Sequence, residues 1–319
     1  MNWNFCFALL AFLLPLAQAQ AQGFPNRPVR LLVGFPPGGP IDLQARLIGQ
    51  KLSESLKQPV IVDNRPGADG VIATNLVAKA EPDGHTLILA SIGFATVPSM
   101  NAKLPYDPAR DFSPVIYVAL GAMVLAAHPS VPATNLKELL DAARARPGQF
   151  NYGSAGIGSS NHLGVELFTR TAAVQMHHVP YKGASPATTD LLAGQIQVML
   201  NPISNALPHI RSGRLRALGV STAKRSAAAP DVPAIAETVP GFDVPLWSGI
   251  FAPAGTPAEI VNVLNREIGA VLANREIQAS LAGHGFEAVG GTPRAFGDFV
   301  NAELVRWTAL VREAGIKPE

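Results

Sequence analysis

The chain has 319 residues, of which 48% are hydrophobic and 15% charged, and its formal net charge is +2. This length suits one large or two medium domains. The charges are interspersed, with no basic run and no stripe of basic and aromatic residues, so nucleic acid is not expected as a partner. The single cysteine, Cys6, lies near the N-terminus, which leaves the rest of the chain without thiols for disulfides, catalysis or thiolate metal sites.

Residues 1–22 have the features of a signal peptide. Phe5 to Leu16 is an apolar run that is too short to span a membrane, and two overlapping Ala-x-Ala sites follow it between Ala17 and Ala21. The sequence therefore predicts export to the periplasm and cleavage of this segment, with an uncleaved hydrophobic anchor as the alternative. No later apolar stretch approaches the length of a membrane span, so we expect a soluble mature protein.

The first predicted strand, Val29 to Val33, leads through a loop rich in glycine and proline into a predicted helix from Ile41 to Leu56. A helix N-terminus presents amides without partners and a partial positive charge, and glycines let a ligand approach those amides closely. The loop has neither the Gly-Lys-Ser/Thr of a Walker A motif nor the spacing of a dinucleotide site. It predicts a site for an anion or polar ligand, and a purely structural turn is the alternative.

Further strands are predicted at Pro59 to Val62 and at Thr86 to Ala90, with a helix from Gly70 to Ala80 between them. Strand–helix–strand units of this length imply a parallel sheet, whose strand ends gather at the edge where α/β proteins bind ligands. The run from Val115 to His128 is too long for one ordinary strand. We expect it to bend near Gly121 and to pass from one domain into another.

A second strand–loop–helix unit follows, with its loop from Gly153 to Asn161 and its helix from about His162 to Thr169. Ser159 and Ser160 are competent helix caps, and their hydroxyls, together with loop amides, predict a second anion site. Helix capping is the alternative for both serines, and a surface position is the alternative for His162. Neither loop contains Lys or Arg, so recognition would depend on backbone dipoles, hydroxyls and ordered water.

The pattern of strands and helices then continues to the C-terminus. Strands are predicted at 176–181, 196–200, 215–221 and 246–251, and helices at 187–193, 257–272 and 292–311. We expect residues 215–221 to make the return crossing. The predicted organisation is a signal peptide (1–22), the first part of domain 1 (23–120), domain 2 (121–221) and the second part of domain 1 (222–319).

Enzyme activity is not expected. A serine hydrolase would need a Gly-x-Ser-x-Gly elbow, which the chain lacks. The only histidine pair, His177 and His178, is predicted on a strand, where adjacent side chains point to opposite faces and cannot share a zinc ion. An effector-binding regulator is disfavoured because no helix-turn-helix precedes the predicted domains. We expect neither a cofactor nor a metal.

Nine motifs together resemble the Bug/TctC family of periplasmic solute receptors, which serve tripartite tricarboxylate transporters. The resemblance runs from about Pro25 to the C-terminus, and its motifs lie at residues 27–30, 34–42, 63–68, 82–84, 103–108, 151–168, 179–183, 215–218 and 251–257. It implies an α/β fold of two domains that close on a ligand like a flytrap, with parallel-rich sheets flanked by helices and joined by two crossing segments. The loops Phe35 to Asp42 and Ser154 to His162 are then expected to hold ligand carboxylates.

The function implied is capture of a small carboxylate, either a di- or tricarboxylate or an aromatic carboxylate, and its delivery by a monomeric receptor to a membrane transporter. The alternative is a periplasmic carboxylate sensor that partners a membrane kinase. The predicted ligand-binding residues are Phe35, Pro36, Pro37, Gly38, Gly39, Asp42, Phe94, Ser154, Ala155, Gly156, Gly158, Ser159, Ser160, His162, Tyr181 and Asn201.

Three positions depart from the pattern of the family. Ile41 stands where Thr or Ser is frequent, Val97-Pro98 replaces a frequent Asn-Pro, and Asn201 stands where Asp is common. Loss of the acidic residue at position 201 favours a simple carboxylate over an amino acid as the ligand.

Overall fold

The computed structural model of the chain describes residues 23–316 with the exception of Ala102. The predicted signal peptide, residues 1–22, lies outside the described residues. Within the described range, none of the helices combines the length and the apolar character that crossing a membrane requires.

The structure contains eleven strands and ten helices within the described residues. In chain order they are β1 (Val29–Val33), α1 (Pro40–Leu56), β2 (Val60–Asn64), α2 (Val71–Ala78), β3 (Thr86–Ser91), α3 (Gly93–Met100), β4 (Phe112–Gly121), β5 (Met123–Ala127), α4 (Leu136–Ala145), β6 (Asn151–Ser154), α5 (Ser160–Thr171), β7 (His177–Pro180), α6 (Ala184–Leu192), β8 (Val198–Pro202), α7 (Ile203–Arg211), β9 (Arg216–Val220), β10 (Leu246–Pro253), α8 (Ala258–Leu272), α9 (Arg275–Gly283), β11 (Phe286–Gly290) and α10 (Pro293–Ala314).

The strands form two sheets, one in each domain. The first has the order β11-β4-β10-β3-β1-β2, and the second has the order β7-β6-β8-β5-β9. Strands β1, β2 and β3 pair in parallel, as do β6, β7 and β8, whereas the remaining pairs are antiparallel. Both sheets are therefore mixed, and each contains the parallel unit from which its predicted binding loop extends.

The central strands of the first sheet are buried on both faces, which explains why β1 is a nearly continuous apolar run instead of an alternating one. Side chains of β1 and β3 on one face pack with α1, α8 and α9, and those on the other face pack with α2, α3 and α10. The apolar cluster on the side of α2, α3 and α10 continues into the second domain, where it includes Leu125, Tyr152 and Phe168. One apolar cluster therefore connects the two domains.

The predicted bend near Gly121 is where the chain leaves the first sheet. Strand β4 ends at Gly121 in the first sheet, and β5 begins at Met123 in the second. Gly121 itself has no room for a side chain, because a Cβ there would lie 2.6 Å from the ring of Phe286. The long apolar run from Val115 to His128 is thus two strands in two sheets.

The return crossing lies further along the chain than residues 215–221. Strand β9 belongs to the second sheet, and the segment after it stays there: Ala234 forms a bridge with Val220, and Phe242 packs edge-to-face on Phe168. The chain rejoins the first sheet only with β10 at Leu246. We therefore propose that domain 2 extends to about residue 245.

Four elements were not expected from the sequence: α3, α7, α9 and β11. Helices α3 and α7 each contain an internal proline, Pro98 and Pro208 respectively. Proline removes a backbone donor and normally argues against a helix interior, so the pattern predicts loops there. In the structure both helices are short, which limits the number of hydrogen bonds that the proline disrupts.

Candidate functional site

The first loop is built as the sequence predicts, with the amides of the first turn of α1 at its end. Gly38 has φ +83°, which favours glycine, and Gly39 is the extended N-cap residue that precedes Pro40. The first amide bonded within this turn is that of Leu43, which donates to the Gly39 carbonyl at 2.9 Å. The amides of Ile41 and Asp42 precede it and have no acceptor within the helix.

Asp42 supports this loop from beneath. Its side chain is 3% exposed, and its carboxylate accepts hydrogen bonds from the Gly38 amide at 2.8 Å, from Arg46 at 2.9 Å and from Asn64 at 2.9 Å. Burial acts to raise the pKa of Asp42, but the bonds from Arg46, Gly38 and Asn64 outweigh it and lower the pKa. Asn64 also donates to the Phe35 carbonyl at 3.0 Å. The geometry thus supports a role for Asp42 in shaping the loop.

The loop after β2 lies directly against the first loop. A Cβ on Gly34 would lie 2.5 Å from the Cα of Gly70, so the two backbones touch and leave no space for a side chain. Asp69, between them and the cleft, adopts φ +51° and ψ +37°, a left-handed conformation that few non-glycine residues take. This contact fixes the position of Asp69 relative to the end of β1.

In the second loop the two serines have different surroundings. Ser159 is the N-cap of α5: its hydroxyl donates to the Gly156 carbonyl at 2.7 Å and accepts from the His162 amide at 3.4 Å. Ser160 is the first residue of the helix and faces the cleft. Capping, the alternative weighed from the sequence, therefore accounts for the Ser159 hydroxyl, while Ser160 faces the space in which a ligand would bind.

Two stacked histidines stand behind the second loop. The rings of His162 and His178 lie 4.0 Å apart between centroids, the Gly158 amide donates to His162 Nδ1 at 3.1 Å, and His178 Nε2 lies 2.7 Å from the Ser154 hydroxyl. Burial lowers the pKa of both histidines to about 4, and for His178 the neighbouring His162 adds to the effect. Both imidazoles are therefore neutral at neutral pH and act as fixed supports of the loop.

A cavity of about 540 Å³ lies between the two domains. The first domain contributes its first loop, the loop after β2, the end of β3 and the starts of β10 and β11, and the second domain contributes Ser160 and Pro202. Of the predicted ligand-binding residues, this cavity is lined by Phe35, Pro36, Pro37, Gly38, Gly39 and Ser160. The first loop and the N-terminus of α5 thus face one common space.

Other predicted residues are not part of this cavity lining. Phe94 is buried and stacks on Phe251 with centroids 4.3 Å apart. Tyr181 donates its hydroxyl to Asp190 at 2.8 Å, and Asn201 is buried and donates its amide to Thr188 at 3.0 Å. The lining also does not include five residues whose hydrogen bonds support the second loop: Ser154, Ala155, Gly156, Gly158 and His162.

Several residues that line the cavity were not identified from the sequence. They are Asp69, Ser91, Ile92, Gly93, Leu246, Trp247 and Phe286. Of these, Asp69 carried a readable signal, because an Asp-Gly pair after a strand is typical of turns in which Asp takes a left-handed conformation. The others come from distant parts of the chain, and only the tertiary structure brings them together.

Two other features of the described residues bear on the type of site. No group of three or more His, Cys, Asp or Glu side chains is placed to hold a metal ion within the part of the chain that the structure describes. A second cavity of about 410 Å³ lies beside the crossing segment at Gly121 and Ala122, away from both loops. The chemistry of the main cavity is thus that of amides, hydroxyls, apolar surface and one carboxylate.

Comparison with known proteins agrees with this fold. The family model for the tripartite tricarboxylate transporter family receptor matches residues 44–316. Protein BugT of Bordetella pertussis is 38% identical over 308 residues, covering 94% of this chain and 93% of BugT. An R. palustris structure with adipate has 38% identity and a TM-score of 0.82, covering 93% of this chain and 100% of that chain. MatC from Rhodopseudomonas palustris with bound malate has 34% identity and a TM-score of 0.77, covering 90% of this chain and 100% of MatC.

Two domains that enclose a cleft between paired helix N-termini define a solute-binding protein. The chain belongs to the Bug/TctC family, the receptors of tripartite tricarboxylate transporters. This confirms the resemblance and the fold class expected from the sequence. Members of this family are periplasmic solute-binding proteins and not enzymes.

Proposed function

We propose that this protein captures a small carboxylate in the cleft between its domains and delivers it to a membrane transporter. The observation that carries the proposal is the arrangement of the first loop and the N-terminus of α5, which face one cavity of about 540 Å³. Each helix start offers amides that lack acceptors and a dipole that favours negative charge. The related structures with adipate and malate support this class of ligand.

A thermal-shift screen of the mature protein against a library of di-, tri- and aromatic carboxylates tests the ligand class. A binder present at 100 times its dissociation constant should raise the free energy of unfolding by about 2.7 kcal/mol, a readily measured shift. The Gly39→Val variant, which obstructs the first loop, is the matched control and should not respond. If no carboxylate stabilises the wild-type protein while another class of compound does, the proposed ligand class is wrong.

Delivery to a transporter needs a separate test in cells. Deleting the gene should abolish uptake of the radiolabelled ligand found in the screen, and expression of the wild-type protein should restore it. Unchanged uptake together with a lost transcriptional response to the ligand would instead support the sensor that partners a membrane kinase. We expect the receptor itself to be a monomer, which size-exclusion chromatography with light scattering would verify.

Export also belongs to this proposal, since a periplasmic receptor must cross the inner membrane. We expect cleavage after one of the Ala-x-Ala sites, which places the mature N-terminus between Gln20 and Gly23. Intact-mass measurement on protein from the periplasmic fraction tests this. Recovery of chains that still begin at Met1 would contradict cleavage and favour the uncleaved anchor.

A further inference from the structure

Sixteen of the described residues line the interdomain cavity, and Asp69 is the one charged residue among them. The other fifteen are apolar residues, glycines and serines. A carboxylate in this position is unexpected in a cleft proposed to bind negatively charged ligands, because like charges repel most strongly where water is scarce.

The backbone holds Asp69 firmly in place. It lies in a short 3₁₀ turn, residues 68–70, with φ +51°, and Gly67 before the turn and Gly70 at its end also have positive φ. On one side Gly70 touches Gly34. On the other, a Cβ on Gly93 would lie 3.1 Å from the carbonyl oxygen and from Oδ2 of Asp69. A strained conformation that is fixed by its neighbours is a recurrent feature of ligand-binding residues.

The charge of Asp69 has no partner in the part of the chain that the structure describes. No Lys, Arg or His there forms an ion pair with it. Loss of hydration raises the pKa of Asp69, so the charged form lacks stabilisation from the protein and a cation bound beside it would stabilise that form. The residue nevertheless remains open to the cleft. The phenol of Tyr106 is influenced by Asp69 but brings no charge near it, since burial raises the pKa of Tyr106 from 10 to about 12 and a phenol is neutral below its pKa.

A simple dicarboxylate would bring two further negative charges next to this carboxylate. A ligand with an ammonium group removes the conflict, since the ammonium can donate a charge-assisted hydrogen bond to Asp69 while the carboxylates bind at the loops. Asn201 in place of an acidic residue disfavours an amino acid when the second domain is considered alone. Asp69 supplies an acidic group from the first domain instead.

We propose that Asp69 is a specificity-determining residue that selects carboxylates bearing an ammonium group, that is, amino di- or tricarboxylates, over the unsubstituted acids. This rests on the proposed function, because it assumes that carboxylates bind in the cleft.

Calorimetric titration with three matched pairs tests the inference: succinate and aspartate, glutarate and glutamate, adipate and 2-aminoadipate. Within each pair the ligands differ by the amino group alone. The wild-type protein should bind the amino member of the best pair about tenfold more tightly or better, as expected for a charge-assisted hydrogen bond. Asp69→Asn and Asp69→Gly should abolish that preference, because Asn and Gly both tolerate the left-handed conformation and remove the charge.

Asp298→Asn is the matched control. It removes the same charge from an exposed position on α10 that does not line the cavity, so it should keep the wild-type preference. Equal or tighter binding of the unsubstituted acid by the wild-type protein would overturn the inference and leave the proposed function intact. A preference that survives in both Asp69 variants would also overturn it. If none of the six acids binds and the wider carboxylate screen also finds no ligand, both the proposed function and this inference are wrong.

Discussion

Gly39 shows how one residue can control access to the amides of the first loop. Its backbone is extended, and a Cβ at this position would meet only the Pro36 carbonyl oxygen, at an ordinary 3.5 Å. A side chain is therefore compatible with the fold, in contrast to Gly38, whose φ of +83° is strained for other residues. A substitution at position 39 can therefore block ligand access to the amides without changing the conformation of the loop.

We expect Gly39→Val to weaken ligand binding at least about a hundredfold, since loss of two hydrogen bonds to a charged ligand corresponds to roughly 3 kcal/mol or more. The melting temperature and circular dichroism should be unchanged. Gly283→Val is the control, because a Cβ there meets nothing within 4 Å and the residue lies at the end of α9. Calorimetry that finds wild-type affinity in Gly39→Val would show that the loop is only a turn.

The two serines of the second loop give a paired prediction. Ser160→Ala should cost about 1–3 kcal/mol of binding free energy, because a hydroxyl facing the cleft loses its acceptor on the ligand. Ser159→Ala should instead lower the free energy of unfolding by about 1 kcal/mol through loss of the N-cap. Calorimetry and chemical denaturation of both variants separate the two roles. A stability loss in Ser160→Ala with full affinity would assign that hydroxyl to the fold.

At the scale of elements, the strand–loop–helix units were the most predictable part. Their apolar periodicity and glycine-rich turns indicate β1 with α1, and β6 with α5, directly from local sequence. The bend near Gly121 was predicted from the length of the run, because fourteen almost uncharged residues, 115–128, exceed one ordinary strand. The helices with internal prolines, α3 and α7, were missed because tertiary packing overrides the local preference of proline. A short window of sequence does not record that packing.

For the proposed site, local sequence predicts the two loops but not the side chains that face the cleft. Glycine and proline patterns identify both loops, but they do not say which atoms face the cleft. Ser159 and Ser160 are equivalent in sequence, and only the direction of α5 separates the cap from the cleft residue. Asp69 was missed because its effect depends on which groups surround it in the assembled cavity, and the local sequence does not record that arrangement.

The histidine pair behind the second loop predicts a pH dependence of stability. Both pKa values are lowered from 6.5 to about 4, so the unfolded chain takes up protons between these pH values that the folded protein does not. The free energy of unfolding should therefore fall as the pH is lowered from about 6.5 to 4, and these groups should have no effect above that window. At roughly 1.4 kcal/mol for each pH unit between 6.5 and 4, the fall should be at most about 3 kcal/mol for each histidine.

Chemical denaturation at pH 7 and at pH 4.5 measures this effect. His178→Gln should reduce the difference in the free energy of unfolding between the two pH values. His284→Gln, at an exposed position, serves as the control and should retain the wild-type difference. If all three proteins lose the same stability on acidification, the histidine pair is not the cause.

At the scale of the whole molecule, the cavity is divided between the domains. The first domain supplies the first loop and Asp69, the second supplies Ser160, and the chain crosses between them beside Gly121 and before Leu246. Neither domain alone can bind both ends of an extended ligand. Closure should therefore depend on a ligand that bridges the cleft, with an open form prevailing in its absence.

Small-angle scattering with and without a confirmed ligand tests whether the two domains close on the ligand. We expect a smaller radius of gyration in the presence of a ligand that spans the cleft, and no change for Gly39→Val under the same conditions. A short ligand with one carboxylate should bind more weakly and compact the protein less. Tight binding of a spanning ligand with an identical radius of gyration in both states would contradict the account, because the cleft would then be preformed and the domains would not close on the ligand.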